Sequence, residues 1–548
     1  MQTPSELFEP LRFFIIEVQK QLQGLESYLE THDKDQAKKS LARIDYIDNH
    51  QINLINRCSL YLINQSQIGQ QDSAQILAQS YQQLIHSLKE LSRQLEKVAY
   101  RALNLKSFKL VQKQKLFKSL TILNSGLEML EPAIISPSSQ VAIDICRLQV
   151  RIAKLCQNQL DNNQKRLKKG QQTQALLEAS LITQDIKRLG DVLLRIGESI
   201  LSANLGQAIK LERYHSLEAT LSAIELNPDS PQFSISTMGE TKSGCTISGV
   251  FSPESEDDKL TAIFKEGQQK KLLEEKQGIE SWHKKFPGVA PEVYSYHKTG
   301  DKAALLFEYM TGETFDKLIT QGDRTNLKKG LNALFALLQD IWQETESEQP
   351  YPAHFMTQLK KRLNDIYRVH SEFDLRGFQL GEVKQASLES LIQQAADIEE
   401  KLTQPNGVYI HGDFNVDNLI YDPIEKQISF IDLHRSEYSD YVQDLSVFMV
   451  SNYRLTDFDP DVRKLITETM QAVYQFGESY AEKIGDDSYH LRMALALARS
   501  FLSSTRFVLD NSHAKSMHYR GRYLLEQVVK LKPKKYPSYR ISKELFRE

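Results

Sequence analysis

One stretch limits the fold more than any other: Gly407-Val408-Tyr409-Ile410-His411-Gly412-Asp413-Phe414-Asn415-Val416-Asp417-Asn418-Leu419-Ile420-Tyr421, followed by Gln427-Ile428-Ser429-Phe430-Ile431-Asp432. Two β-type runs, Leu419 to Tyr421 and Gln427 to Ile431, flank the turn-prone pair Asp422-Pro423, which predicts a hairpin. Residues equidistant from the turn of an antiparallel hairpin face each other, so Asn418 and Asp432 are expected as such a pair at its open end. Both offer oxygen ligands, and Asp413, on the loop entering this end, adds a carboxylate. A hard cation such as Mg²⁺ favours a few oxygen ligands, with waters and phosphate oxygens completing its shell.

Such a set suits phosphoryl transfer, in which one carboxylate orients or deprotonates a hydroxyl while an amide and a second carboxylate hold metal on nucleotide phosphates. His411-Gly412-Asp413, Asn418 five residues after the Asp, and then Ile431-Asp432 together resemble the catalytic core of the aminoglycoside phosphotransferase and choline kinase branch of the protein-kinase-like fold. The resemblance implies Asp413 as catalytic base, Asn418 and Asp432 as metal ligands, and ATP and Mg²⁺ as cofactors. It also makes His411 a buttress of the loop rather than a proton carrier. Further on, the usual Gly-Asp-Pro element is replaced by Ser439-Asp440-Tyr441, whereas Asp444-Leu445 is kept, so Asp444 reads as a scaffold carboxylate bracing the catalytic loop. His434 and Arg435 follow the metal Asp directly. They are placed to touch substrate or phosphate, while Arg435 is equally placed to pair with Glu437 or Asp440. Asp417 is assigned no role.

Upstream, Phe233-Ser234-Ile235-Ser236-Thr237 and a run through Val250 and Phe251 read as strands around a loop containing Gly239 and Gly244. Glycines there let backbone N–H groups approach phosphates, although the loop is not a Walker motif and the same pattern describes an ordinary hairpin turn. Leu260-Thr261-Ala262-Ile263-Phe264-Lys265 ends an apolar strand in a lysine, and a helical stretch with Leu272, Glu275, Ile279 and Trp282 follows. By resemblance Lys265 contacts the α- and β-phosphates and Glu275 holds it, with Glu274 and Glu280 as near alternatives. Ala303-Ala304-Leu305-Leu306-Phe307-Glu308-Tyr309-Met310 resembles the segment joining two kinase lobes, where backbone groups of Glu308 and Met310 would meet the adenine edge.

The chain has 548 residues, more than one core usually holds, so several domains are expected. From Leu7 to about Leu211 it is rich in Leu, Gln, Lys and Ala with apolar residues at helical spacing, as in Ile182, Ile186, Leu189, Leu193, Ile196 and Ile200. After the N-cap candidate Asp33, the series Ala37, Leu41, Ile44, Ile52 and Ile55 predicts one apolar face. Long antiparallel bundle helices are expected, with breaks near Gly24, Asn104, Pro137 and Gly170. The segments 37–48 and 190–200 resemble the helical bundle of PhoU, a phosphate-regulation protein, although the Glu and Asp four apart that often bind metal in it are not clearly present. Asp48 interrupts the stripe between Ile44 and Ile52 and is read as an ion pair or capped contact. Lys106 to Lys118 mixes lysines with aromatics and reads as a solvated face rather than a nucleic-acid or lipid contact.

Charged residues make up 25% and the net charge is −3, giving no overall bias towards nucleic acid or acidic membranes. Cys58, Cys146, Cys156 and Cys245 lack metal-type spacing and read as reduced. No apolar run is long enough to span a membrane and the first residues lack signal-peptide character, so a cytoplasmic protein is expected. The expected architecture is multidomain: an all-α antiparallel, PhoU-like bundle at 1–215, a linker at 216–231 around Asn227-Pro228-Asp229-Ser230-Pro231, and a bilobal α+β kinase-like domain. Its nucleotide-binding lobe is placed at 232–312 and its catalytic and acceptor-binding lobe at 313–548. The resemblance implies an ATP- and Mg²⁺-dependent phosphotransferase acting on a hydroxyl of a small molecule, with the bundle regulating it, localising it or contacting a protein partner. A nucleotide sensor without transfer, or a kinase with a protein acceptor, are the alternatives.

Overall fold

The computed structural model describes residues 5–42, 44–66, 71–105, 116–135, 139–170, 172–206, 208–222, 234–240, 246–251, 260–374 and 377–547. The chain forms two compact units, Met1–Gly267 with Ser295–Leu306, and Gln268–Tyr294 with Phe307–Glu548.

The first unit begins with long helices, Ser5–Thr31, Ile44–Ser66, Gln71–Leu103, Ser139–Leu167 and Thr173–Leu205, with shorter ones between them. The expected breaks at Asn104 and Gly170 coincide with helix ends, whereas Gly24 lies inside Ser5–Thr31. One glycine weakens a helix by only about 1 kcal/mol, and burial of Leu22, Leu25 and Tyr28 outweighs that. The chain turns instead at His32, in the left-handed region, and restarts at Asp33, whose side chain accepts the backbone N–H of Asp35. Pro137 lies outside the described residues, as do 106–115 and the linker residues 227–231.

The apolar stripe proposed after Asp33 needs correction at Ile52, which is 59% exposed; Ile47 and Leu54 take the buried face of that helix. The turn before Ile44 starts a new helix, so the phase carried forward from Ala37 is lost. Asp48, itself 44% exposed, makes the ion pair expected of it, with the buried Lys89. A second buried charge, Asp185, lies 3.2 Å from Lys97 Nζ and 2.7 Å from Arg101 Nε, tying Thr173–Leu205 to Gln71–Leu103. Cys58, Cys146 and Cys156 are free and buried; Cys245 is outside the described residues.

The same unit contains most of a five-stranded sheet, in which Ser234–Glu240, Thr246–Phe251, Leu260–Gln268, Lys302–Glu308 and Val293–Thr299 follow one another in space. Ala262, Phe264, Ala304 and Leu306 belong to the same hydrophobic core as the bundle helices, so bundle and sheet share one interior. Helix Leu211–Ser222 lies against this sheet and runs across residue 216, where the linker was expected to start. Arg213 Nη2 donates to Ser248 Oγ at 2.7 Å, Ser295 Oγ to the Thr220 carbonyl at 2.9 Å, and Lys302 Nζ to Glu212 at 2.8 Å. Because side chains alternate along a strand, Lys265 points to the face opposite Phe264.

The second unit is mainly helical. Arg324–Glu344, Val442–Tyr453, Pro460–Ile484, Tyr489–Ser504 and Asn511–Lys530 surround small strand pairs. Its interior holds Trp342 against Tyr441, Tyr480 and Phe476, and the fully buried Arg492 paired with Asp440 and Asp486. A buried guanidinium with two carboxylates is tolerated because each charge is met. Among the described residues, no helix is long and apolar enough to cross a membrane.

Candidate active site

The hairpin forms from Leu419–Asp422 and Gln427–Phe430, with Glu313–Thr314 on its other edge. Asp422 Oδ1 accepts the backbone N–H groups of Ile424 and Glu425, and Lys426 adopts φ 56°, which closes the turn. Leu419 pairs with Phe430 and Asp422 with Gln427, so the residue opposite Asn418 is Ile431, whose N–H donates to the Asn418 carbonyl at 3.0 Å. The expected pairing of Asn418 with Asp432 is therefore one residue out of register. Asp432 instead leaves the strand at φ 61°, in a region uncommon for a residue with a side chain, and such backbone is found where function over-determines it.

The loop before the hairpin is held from several sides. Asp444 on helix Val442–Tyr453 accepts the N–H of His411 at 2.8 Å and of Gly412 at 3.0 Å. Burial pushes its carboxyl up to about 7, against the pull of those two donors. Gly412 has φ 80°, and a Cβ there would lie 2.1 Å from the Arg435 carbonyl oxygen, so only glycine fits. His411 is buried beside Phe414 and Phe430, and its Nε2 lies 3.0 Å from the Ile431 carbonyl, which can only accept. Its Nδ1 accepts the N–H of Asp413 at 3.3 Å, so the ring is neutral with its hydrogen on Nε2, and burial holds its pKa below the usual value. The histidine joins loop to hairpin and offers no proton acceptor to a substrate.

Asp413 Oδ1 accepts from Asn415 Nδ2 at 2.8 Å, and Oδ2 lies 3.3 Å from Arg435 Nη1. Arg435 thus pairs with Asp413, and the alternative partners Glu437 and Asp440 are excluded as its ion-pair carboxylates among the described contacts. Asn418 Nδ2 donates to the Asp413 carbonyl at 2.8 Å, a bond that does not use the Oδ1 of that side chain. His434 Nδ1 lies 3.3 Å from Asp432 Oδ1, and this contact raises the imidazole pKa above its usual value. An amide oxygen and a carboxylate fit a hard cation such as Mg²⁺. Among the described residues, no group of three or more His, Cys, Asp and Glu side chains could hold a metal ion.

Helix Gln269–Lys285 supports the same region. A Cβ at Gly278 would lie 2.0 Å from the Leu433 carbonyl oxygen, and Trp282 Nε1 donates to Ser436 Oγ at 2.8 Å while its ring meets Tyr409 and Phe430 edge-on. Glu275 on this helix is buried at 3% exposure. In the other unit, Lys265 is 4% exposed on strand Leu260–Gln268. Gly239 lies in strand Ser234–Glu240 beside an irregularity in its pairing, and Gly244 is outside the described residues. Glu308 ends its strand with its N–H donating to the Glu292 carbonyl at 2.9 Å and its Oε2 accepting the Glu292 N–H at 3.1 Å. That commits the Glu308 N–H, leaving its carbonyl and the backbone of Met310 as hinge candidates.

Four residues around Asp413 escaped the sequence reading. Arg362, Arg454 and Arg499 feel the Asp413 charge, and Arg506 feels those of Arg362, Arg435 and Arg454. Arg362 and Arg454 flank helices far apart in the chain, Arg499 and Arg506 lie on one helix and the turn that follows it, and no local motif marks them.

Residues 267–478 match the model of the phosphotransferase enzyme family, which bears out the resemblance expected of the C-terminal region and leaves the helical bundle outside the match. Among solved structures, an aminoglycoside phosphotransferase APH(3'')-Id from Streptomyces rimosus is 17% identical, with 52% of this chain and 98% of that chain covered and a TM-score of 0.35. The choline kinase of Cryptosporidium parvum is 11% identical over 56% of this chain and 92% of its own, with a TM-score of 0.34. The ethanolamine kinase of Plasmodium vivax is 13% identical over 57% and 87%, with a TM-score of 0.33. No curated protein matches the chain.

Proposed function

We propose that the chain is an ATP-dependent phosphotransferase that moves the γ-phosphoryl group to a hydroxyl of a small molecule, with Asp413 as the base. The observation that carries this reading is the hydrogen bond from Asn418 Nδ2 to the Asp413 carbonyl, in a loop whose N–H groups are clamped by Asp444. It couples the base to a ligand side chain without using the side-chain oxygen of Asn418 or the carboxylate of Asp413. In the reaction the acceptor oxygen attacks the γ-phosphorus, the bond to the bridging β–γ oxygen breaks, its electron pair leaves with ADP, and the hydroxyl proton passes to Asp413. Asn415 and Arg435 hold the Asp413 carboxylate in orientation. Asn418 and Asp432 would hold Mg²⁺, which when bound neutralises charge on the nucleotide phosphates. Lys265 and Glu275 keep the roles the resemblance gives them, phosphate contact and its brace, and the Glu308 to Met310 backbone meets the adenine edge. The PhoU-like bundle has a regulatory or localising part in this reading, supported by the core it shares with the sheet carrying Lys265.

The experiment is ATP turnover and metal-dependent nucleotide binding, with a panel of hydroxyl compounds, for wild type, Asp432→Ala and Asp413→Asn. Wild type should bind nucleotide more tightly with Mg²⁺, and Asp432→Ala should lose that gain. Asp413→Asn should still bind nucleotide and lose transfer by about 10² to 10⁴-fold, the usual contribution of a positioned base. Binding without transfer to any acceptor would favour a nucleotide sensor, and no nucleotide binding under any metal would overturn the reading.

A further inference from the structure

The arginines beside Asp413 are more numerous than the base requires. Arg362 lies between helices Phe355–Lys360 and Leu363–Val369, Arg454 caps Val442–Tyr453, Arg499 is on Tyr489–Ser504, and Arg506 is in the turn Thr505–Phe507. The guanidinium groups of Arg454 and Arg506 approach one ring, 5.6 and 4.4 Å from the centroid of Phe507, and that of Arg499 lies 5.6 Å from the ring of Phe355. Tertiary packing has thus gathered Arg362, Arg454 and the Arg499–Arg506 stretch, which are far apart in the chain.

Two of them, Arg499 and Arg506, are poorly met inside the protein. Burial holds Arg506 down to about 10, and Arg362, Arg435 and Arg454 push the same way against the charge of Asp365. Arg499 is 8% exposed, and burial with the nearby Arg362 lowers it to about 10 as well. Arg499 Nε and Arg506 Nη1 are buried and make no hydrogen bond among the described residues. Arg454 faces Asp417 and Asp413, whereas the other carboxylates nearest Arg499 and Arg506 are engaged elsewhere. Asp444 accepts the N–H groups of His411 and Gly412, Glu399 accepts those of Phe355 and Met356 at 2.6 and 3.1 Å, and Asp365 lies 3.4 Å from Arg368. Buried guanidinium N–H groups without acceptors are costly, and planar N–H forks match the oxygens of a phosphate.

We propose that the acceptor phosphorylated beside Asp413 is itself an anion, a phosphate-bearing hydroxyl compound whose phosphate is received by Arg454, Arg499 and Arg506 with Arg362 beside them. The hydroxyl then faces Asp413 while the anchored phosphate fixes its orientation. Cationic acceptors are disfavoured by the same charges. This inference rests on Asp413 being the base of a phosphotransferase, so its test separates the two.

Full-length protein with Mg²⁺ and a saturating non-hydrolysable ATP analogue would be titrated calorimetrically with ribose 5-phosphate, glycerol 3-phosphate, inorganic phosphate, ribose, glycerol and choline. The phosphate-bearing probes should bind, with inorganic phosphate weaker, and ribose, glycerol and choline should not. Arg506→Gln and Arg454→Gln, at partly exposed positions, should each weaken the phosphate-bearing probes by about tenfold, the worth of one charge-assisted hydrogen bond. Choline or an uncharged polyol binding as tightly as its phosphorylated counterpart, or phosphate binding indifferent to both substitutions, would overturn the inference while nucleotide binding stands. Failure of the ATP analogue to bind under any metal, with phosphate still held by the arginines, would instead overturn the phosphotransferase reading and the acceptor role with it.

Discussion

Replacing Asp444 by alanine tests the claim that the catalytic loop is positioned from beneath. The carboxylate accepts two backbone N–H groups, from His411 at 2.8 Å and Gly412 at 3.0 Å, at a site 1% exposed. Truncation orphans both donors at about 1 to 3 kcal/mol each. Removing a carboxyl that burial has pushed up to about 7 relieves part of that loss. A net destabilisation of about 2 kcal/mol is expected, together with a fall in turnover of at least about tenfold from displacing the loop. Both tryptophans, Trp282 and Trp342, are buried in the same unit as Asp444, so their fluorescence during urea unfolding reports on that unit. The pH dependence gives a second readout. Because the folded-state value lies above that of an unfolded aspartate, near about 4, the folded state binds the extra proton. The stability of wild type relative to the non-titrating Asp444→Asn should therefore fall as pH rises from about 4 to about 7 and level off above. An alanine variant with unchanged midpoint and turnover, or a flat wild-type difference across that window, would refute the bracing role.

Gly278→Ala places a Cβ 2.0 Å from the Leu433 carbonyl oxygen, so helix or loop must move; turnover should fall at least about tenfold with the second unit still folded, as read by steady-state kinetics and circular dichroism. Arg492→Gln leaves the buried Asp440 and Asp486 without their cation and should destabilise the second unit by about 3 to 5 kcal/mol in tryptophan-detected unfolding. Asp185→Asn removes the buried charge facing Lys97 and Arg101, which are themselves 40% and 35% exposed. Solvent therefore softens its effect to about 1 to 2 kcal/mol, measured as a shift in the helical circular-dichroism transition that the tryptophan transition of the second unit does not follow.

The hairpin and the polar groups at its open end were legible from residue types and spacing, because such a turn is encoded locally, whereas the roles of Lys265, Glu275 and Asp444 came from a family resemblance. The helical character of the first 200 or so residues was legible too, from apolar residues at the helical period. Register was less so: the runs around Asp422-Pro423 announced a hairpin, but the turn through Lys426 decided that Ile431 and not Asp432 faces Asn418. The burial phase after Asp33 likewise depended on where one helix stopped and the next began, which is why Ile52 faces solvent. Two further features belong to tertiary structure alone. Phe264 and Leu306 share an interior with the bundle, and Arg362, Arg454 and Arg499, with Arg506 beside them, gather near Asp413 from three stretches of the chain. Local sequence sets backbone preference and periodicity, but which charges become neighbours is settled by how helices pack, and that depends on contacts between residues far apart in the chain.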